Sequence, residues 1–111
     1  MGTVSIVVEN KLETIVSAAT ATGVQTYRRK PAPATVFQVI LSGTGAVSAT
    51  VLFEVSLDGT NWVTPGMATV TLSGTTSVTD GFASNAPWRY VRPNITTISG
   101  TGATITILMG Y

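Results

Sequence analysis

The chain has 111 residues, enough for a single hydrophobic core. Only eleven residues are charged, the net charge is +1, and 44% are hydrophobic, which excludes a disordered polyelectrolyte. There is no cysteine and no histidine, which excludes disulfides, thiolate or imidazole metal sites, and Ser-His-Asp or Cys-His catalysis.

Thr3–Glu9 reads as a first strand, with Val4, Ile6 and Val8 on one face and a turn at Asn10 and Lys11. The opening MGTVSIVVEN lacks a basic region and a long apolar core, so no signal peptide is expected. Ile6 stands where a myristoylation pattern wants Ser or Thr, and no apolar run has the length of a membrane span. Leu12–Ala19 fits a short strand or a helix. Gly23–Arg29 alternates Val24, Thr26 and Arg28 against Gln25, Tyr27 and Arg29, as a strand does. Lys30-Pro31-Ala32-Pro33 then breaks regular structure, because two prolines remove two backbone donors.

Ala34–Ser42 is apolar on both faces and reads as a central strand. Gly43-Thr44-Gly45 reads as a turn. Val47–Trp62 carries the strongest pattern of the chain. Val47, Ala49, Val51, Phe53, Val55 and Leu57 alternate with Ser48, Thr50, Glu54 and Ser56, with Leu52 the one exception, which gives a strand with one buried face. Asp58-Gly59 suits a two-residue hairpin turn, which would set Leu57 opposite Thr60 and Val55 opposite Trp62, with Trp62 covering the apolar face. Further turns are expected at Pro65-Gly66, Gly74-Thr75 and Gly100-Thr101-Gly102, with strands over Met67–Ser73, Ser77–Ala83, Trp88–Ile98 and Ala103–Met109. Pro93-Asn94 inside Trp88–Ile98 implies an edge strand or a bulge. Leu41-Ser42-Gly43-Thr44-Gly45-Ala46 is echoed by Ile98-Ser99-Gly100-Thr101-Gly102-Ala103, and partly by Ser73-Gly74-Thr75. Reuse of good turn chemistry explains the echo better than duplication.

Eight or nine short strands about ten residues apart give an all-β fold, an antiparallel β-sandwich of about eight strands. A jelly-roll-like sandwich is the first expectation and an immunoglobulin-like one the second. The whole chain, 1–111, is expected to form one domain, with 1–33 as an N-terminal arm for contacts with other subunits.

The residues offer no catalytic constellation. Asp58 and Asp80 precede glycines and are explained by turns, Glu9 and Glu13 flank a turn, and Glu54 alone sits mid-strand, on the solvent-side face. The glycine-rich segments lack the lysine of a P-loop, and no acidic cluster suits calcium. No cofactor and no enzymatic activity are expected. Ser56-Leu57-Asp58-Gly59-Thr60-Asn61-Trp62 resembles the Asp-box S-x-D-x-G-x-T-W, but lacks a residue between Asp and Gly and occurs once. Turn and core explain it better than sugar stacking by Trp62. Arg28, Arg29 and Lys30 cluster, as do Arg89 and Arg92, interleaved with Tyr27, Trp88 and Tyr90. Such a set suits a protein interface better than single-stranded nucleic acid, since six basic residues against five acids make no basic field. Sparse charge points the same way, unless the twenty threonines and nine serines alone solvate the surface. The candidate interface set is Tyr27, Arg28, Arg29, Trp88, Arg89, Tyr90 and Arg92.

The hairpin Phe53-Glu54-Val55-Ser56-Leu57-Asp58-Gly59-Thr60-Asn61-Trp62 is followed by Ala86-Pro87-Trp88-Arg89-Tyr90-Val91-Arg92 and then by Thr97-Ile98-Ser99-Gly100-Thr101-Gly102-Ala103. Over Ala34–Tyr111 the chain resembles the small jelly-roll decoration, or cement, proteins of tailed-bacteriophage capsids. That resemblance implies a homotrimer, assembled in the bacterial host cytoplasm, that sits on the capsid exterior between major capsid protein subunits. It would reinforce the head against the pressure of packaged DNA, with no direct nucleic-acid or membrane partner. A carbohydrate- or receptor-binding module of a tail fibre or spike, or another neck or tail assembly protein, is the alternative.

Overall fold

The computed structural model describes residues 11–111, so the strand expected over Thr3–Glu9 lies outside the described residues. Within them the fold is all-β and antiparallel, with six strands and no helix: β1 (Leu12–Ala19), β2 (Gly23–Val24), β3 (Arg28–Arg29), β4 (Thr35–Ser56), β5 (Val63–Ser84) and β6 (Tyr90–Gly110). They form one sheet in the order β1-β6-β4-β5, with β2 and β3 also paired to β6. The ambiguity over Leu12–Ala19 resolves as a strand, and Ala34–Ser42 becomes the first half of β4, which is flanked on both sides as its apolar faces suggested.

The strand count differs from the eight or nine expected because β4, β5 and β6 run through the segments read as turns. Each is 21 or 22 residues long. β4 nevertheless doubles back. Phe37 and Phe53 lie sixteen residues apart on it, about 50 Å along a straight strand, yet their ring centroids are 5.1 Å apart. Phe82, opposite Phe37 on β5, stacks on the first at 5.1 Å and meets the second edge-on at 4.8 Å. All three phenylalanines of the chain thus gather where the two halves of the bent sheet face each other. Val39, Leu41, Val51, Val55, Ile105 and Ile107 extend the same core, each fully buried.

The repeated Ser-Gly-Thr-Gly segments are where the sheet bends. Thr44 is opposite Thr101, Ala46 is opposite Thr75, and the registers of both ladders shift here. Gly45, Thr76, Gly100 and Gly102 have positive φ. At Gly43 and Gly100 a Cβ would lie 2.9 and 2.8 Å from Val47 Cγ1, so these two glycines also permit the close approach of β4 and β6. A bend and a hairpin need the same left-handed residues, which is why the echo looked like a reused turn.

A short connection requires the same doubling. Ser84 is opposite Thr35 at the start of β4, and Tyr90 is opposite Ser56 at its end. Residues 85–89 join them across β4 and reach at most about 20 Å, whereas a straight β4 would measure about 70 Å. The ends of β4 are therefore near each other, and the connections gather at this end of the molecule.

The two-residue hairpin at Asp58-Gly59 does not form. Val55 is opposite Val63, not Trp62, and the connection is the six residues Leu57–Trp62. Pro65-Gly66 lies inside β5 instead of making a turn. Pro93 occupies an inner strand without loss to the main ladder. Its carbonyl accepts from the Gln25 amide, so its nitrogen, on the same side, faces the gap between β2 and β3 and not β4. A bulge does occur close by, at Thr96.

Candidate functional site

The end at which the connections gather carries most of the aromatic and basic residues. Along the second half of β4, Phe53 and Val55 point into the core, so Leu52, Glu54 and Ser56 point to the other face. Glu54, expected to be solvated there, is instead 3% exposed. The register sets it opposite Arg92. Arg92 Nε donates to Glu54 Oε1 at 2.8 Å, while Thr64 Oγ1 and Asn94 Nδ2 donate to Oε2 at 2.7 and 3.3 Å. Burial alone would push the carboxyl up. Hydrogen bonds from Thr64, Arg92 and Asn94, together with the Arg92 charge, outweigh it and hold Glu54 below the ordinary glutamate value.

Arg92 in turn lies over Trp62, with its guanidinium 4.3 Å from the ring centroid. Trp62 is half-buried on this outer face and does not cover the apolar core as the hairpin reading expected. Its ring lies 5.8 Å from that of Tyr27, which meets Tyr90 edge-on at 5.4 Å. Arg89 stands at the rim, its guanidinium 5.5 Å from the Tyr90 centroid. Tyr27, 51% exposed, is the most accessible of the three rings that are linked in this way.

The loop Leu57–Trp62 that delivers Trp62 is held by Asp58. Asp58 Oδ1 accepts from the Thr60 and Asn61 amides and the Ser56 hydroxyl at 2.8 to 2.9 Å, and Oδ2 accepts from Asn61 Nδ2 at 2.8 Å. The Asn61 amide and side chain, then Thr60 and Ser56, hold the carboxyl well below the usual carboxylate range. Gly59, at φ 75°, lies against the Tyr90 ring. Replacing Asp58 with alanine is therefore expected to leave the fold intact and loosen this loop. Amide exchange at Thr60 and Asn61 should accelerate, with a change in Trp62 fluorescence, while exchange in β4 stays unchanged.

The candidate residues divide among three places. Tyr27, Tyr90 and Arg92 come together with Trp62, and Arg89 borders them. Trp88 packs partly against the core and forms an apolar notch with Leu57 and Pro87. Arg29 and Arg89 flank the adjoining groove over Pro31 and Trp88. Arg28 is turned the other way, opposite buried Val91. Its Nη1 bonds Glu13 Oε1 at 3.0 Å and ties β3 to β1 along the flank of the bent sheet. With both side chains over a third exposed, that pair contributes at most about 1 kcal/mol. Lys30 is buried, and its ammonium donates to the carbonyls of Ala32 and Pro33, which orders the proline segment. Composition and spacing missed Glu54, Trp62, Thr64 and Asn94 as members of the cluster. The one available signal was a lone glutamate in the middle of a strand.

No family model matches the chain, and no curated protein sequence matches it. Among solved structures, the crystal structure of the SPBc2 prophage-derived protein YomS is similar, with a TM-score of 0.61 over 98% of this chain and 100% of that one. Sequence identity is 15%, so the likeness is one of fold.

Proposed function

We propose that this chain is a structural protein of a bacteriophage particle, and that it decorates the head by binding between major capsid subunits. The observation that carries the reading is the cluster of Tyr27, Trp62, Tyr90 and Arg92, braced on a stiff sheet by the buried Glu54 carboxylate. Tyr, Trp and Arg held in fixed positions are the residues that dominate protein interfaces. The similar fold of a prophage-derived protein supports phage origin. A sheet doubled over a single core serves the same mechanical end as the jelly-roll sandwich of cement proteins, a small rigid block. The protein acts without catalysis, by burying surface on the capsid exterior. A threefold contact, as the cement-protein resemblance implies, would present the patch several times over, and modest contacts would reinforce each other through effective concentration.

The reading as a sugar-binding module of a tail fibre has less support. Arg92 occupies one face of Trp62, and Trp88 packs partly against the core, so neither indole stands fully open to solvent.

The test is co-sedimentation of the chain with phage heads that lack it, followed by imaging of the decorated particle. Wild-type protein should bind at the junctions of capsid subunits. Tyr27→Ala with Arg89→Ala, both rim residues, should weaken binding about tenfold or more, the loss expected when interface anchors are truncated. Unchanged binding by that double variant would remove the patch from the contact. Binding to tails but not heads would move the protein to the tail.

A further inference from the structure

We propose that two copies of this chain join through the edge of β5 that is unpaired among the described residues, with Met67–Thr75 of one pairing antiparallel to the same residues of the other. The two edges of the sheet differ sharply. The edge opposite β5 is broken into β1, β2 and β3, is bulged twice in β1, has Ala18 at φ 49°, and carries Glu13, Arg28 and Arg29. These are the features by which proteins keep an edge from pairing with other chains.

β5 has such features only towards its ends. Among the described residues its one partner is β4, along its whole length. Pro65 lies near its start. Asp80 lies towards its end, opposite Val39, and so points a charge to the core-facing side. Both devices are known protectors of edges. Between them, Met67-Ala68-Thr69-Val70-Thr71-Leu72-Ser73-Gly74-Thr75 has no charge and no proline, and β-formers predominate at its centre. Thr69, Thr71 and Ser73 are exposed, while Val70 and Leu72 are buried against the core. An uncharged, regularly extended edge of this length is a template for another strand.

The partner that fits is a second copy. An antiparallel pairing centred on Thr71 places Thr69 opposite Ser73 and Val70 opposite Leu72, then repeats both pairs by twofold symmetry. Hydroxyl thus meets hydroxyl on one face and apolar meets apolar on the other. Asp80 and Pro65 of each copy fall outside the paired window, so no like charges meet. A pairing with the opposite edge would instead meet its bulges and charges. The contact is independent of the capsid reading. It gives an even copy number: a dimer, or a hexamer if a threefold contact also exists.

The test is analytical ultracentrifugation of the full chain over a wide concentration range. Wild type should show an even assembly. Thr71→Lys sets two ammonium groups together at the twofold axis and should halve the copy number, while each copy keeps its β-sheet circular dichroism and a cooperative unfolding transition. Thr71→Val should keep the assembly, and so should Thr97→Lys, an exposed charge on the inner strand β6. A monomer at every concentration, an odd-numbered assembly, or an even one unmoved by Thr71→Lys would each overturn the edge contact. An odd-numbered assembly that still binds heads would do so while leaving the capsid reading in place.

Discussion

Replacing Gly100 with alanine is expected to cost about 2–6 kcal/mol of stability. Gly100 has φ 127°, a region that side-chain-bearing residues avoid, and forcing one into it costs about 1–3 kcal/mol. The new Cβ would also stand 2.8 Å from Val47 Cγ1 and 2.9 Å from the Ala46 carbonyl oxygen. Overpacking of that kind adds about 1–3 kcal/mol, and the backbone atom among the two cannot yield by a rotamer change. Against the 5–15 kcal/mol typical of a domain, the loss is large. The neighbouring glycines supply the control. A Cβ at Gly45 or Gly102 would meet nothing within 4 Å, so alanine there costs only the backbone preference, about 1–2 kcal/mol. Urea unfolding of the three variants should rank Gly100→Ala as the most damaging. Equal losses at all three would mean that the bend tolerates the close approach, and the role assigned to Gly100 would be wrong.

The second large effect concerns the buried ion pair. Arg92→Met is expected to cost about 2–3 kcal/mol. The usual cost of orphaning a buried charge is about 3–5 kcal/mol. Here Arg92 is a quarter exposed, and Thr64 and Asn94 still donate to Glu54, which lowers the figure. Adding Glu54→Leu should recover most of the loss, because the carboxylate that needed a partner is gone. The pH dependence has a definite sign. In the wild type Glu54 titrates below its unfolded value of about 4.3, so its contribution is full above that value and is lost as pH falls through the lower folded one. In Arg92→Met both the hydrogen bond and the charge of Arg92 are gone, so the folded value rises from its wild-type position. Relative to wild type the carboxylate then costs more at neutral pH, and that difference disappears as protonation removes the charge. The gap between wild type and variant should therefore be widest near neutrality and narrow below about pH 4. Urea titrations at both pH values would read it, and a gap that widens in acid would refute the assigned role of Arg92.

Alternation carried most of the strand content. Phe37, Val39 and Leu41, and Val47 through Val55, occupy the core face that their spacing indicated, since a period of two needs no partner to be read. The bend was not legible, because Gly43-Thr44-Gly45 and Gly100-Thr101-Gly102 have the composition of hairpin turns. Only pairing between strands shows that the chain continues forward through them. The aromatic cluster failed for a related reason. Glu54 was assigned to the correct face, but its burial comes from Arg92, Thr64 and Asn94 on other strands, and those approaches depend on register. Trp62 went astray because Asp58-Gly59 also suits a longer loop, and a change in loop length alters which residues stand opposite each other. Tyr27, Tyr90 and Arg92 could be grouped in advance from residue type alone; their separation from Arg28 required the alternation of faces on β3 and β6, and their separation from Trp88 the course of the connection 85–89.

The five residues between Ser84 and Tyr90 also set an order of events in time. The long hairpin of β4 and β5 can zip outward from the loop Leu57–Trp62, each new pair forming next to one already made. β6 cannot dock beside β4 while that hairpin is straight, because its tether is too short to reach the far end. The hairpin must first double at Gly43–Gly45 and Gly74–Thr76, and β1, β2 and β3 can be laid down only after β6 offers them an edge. Assembly is thereby gated by the bend, and a glycine lost there would slow the search for the native state as well as weaken it.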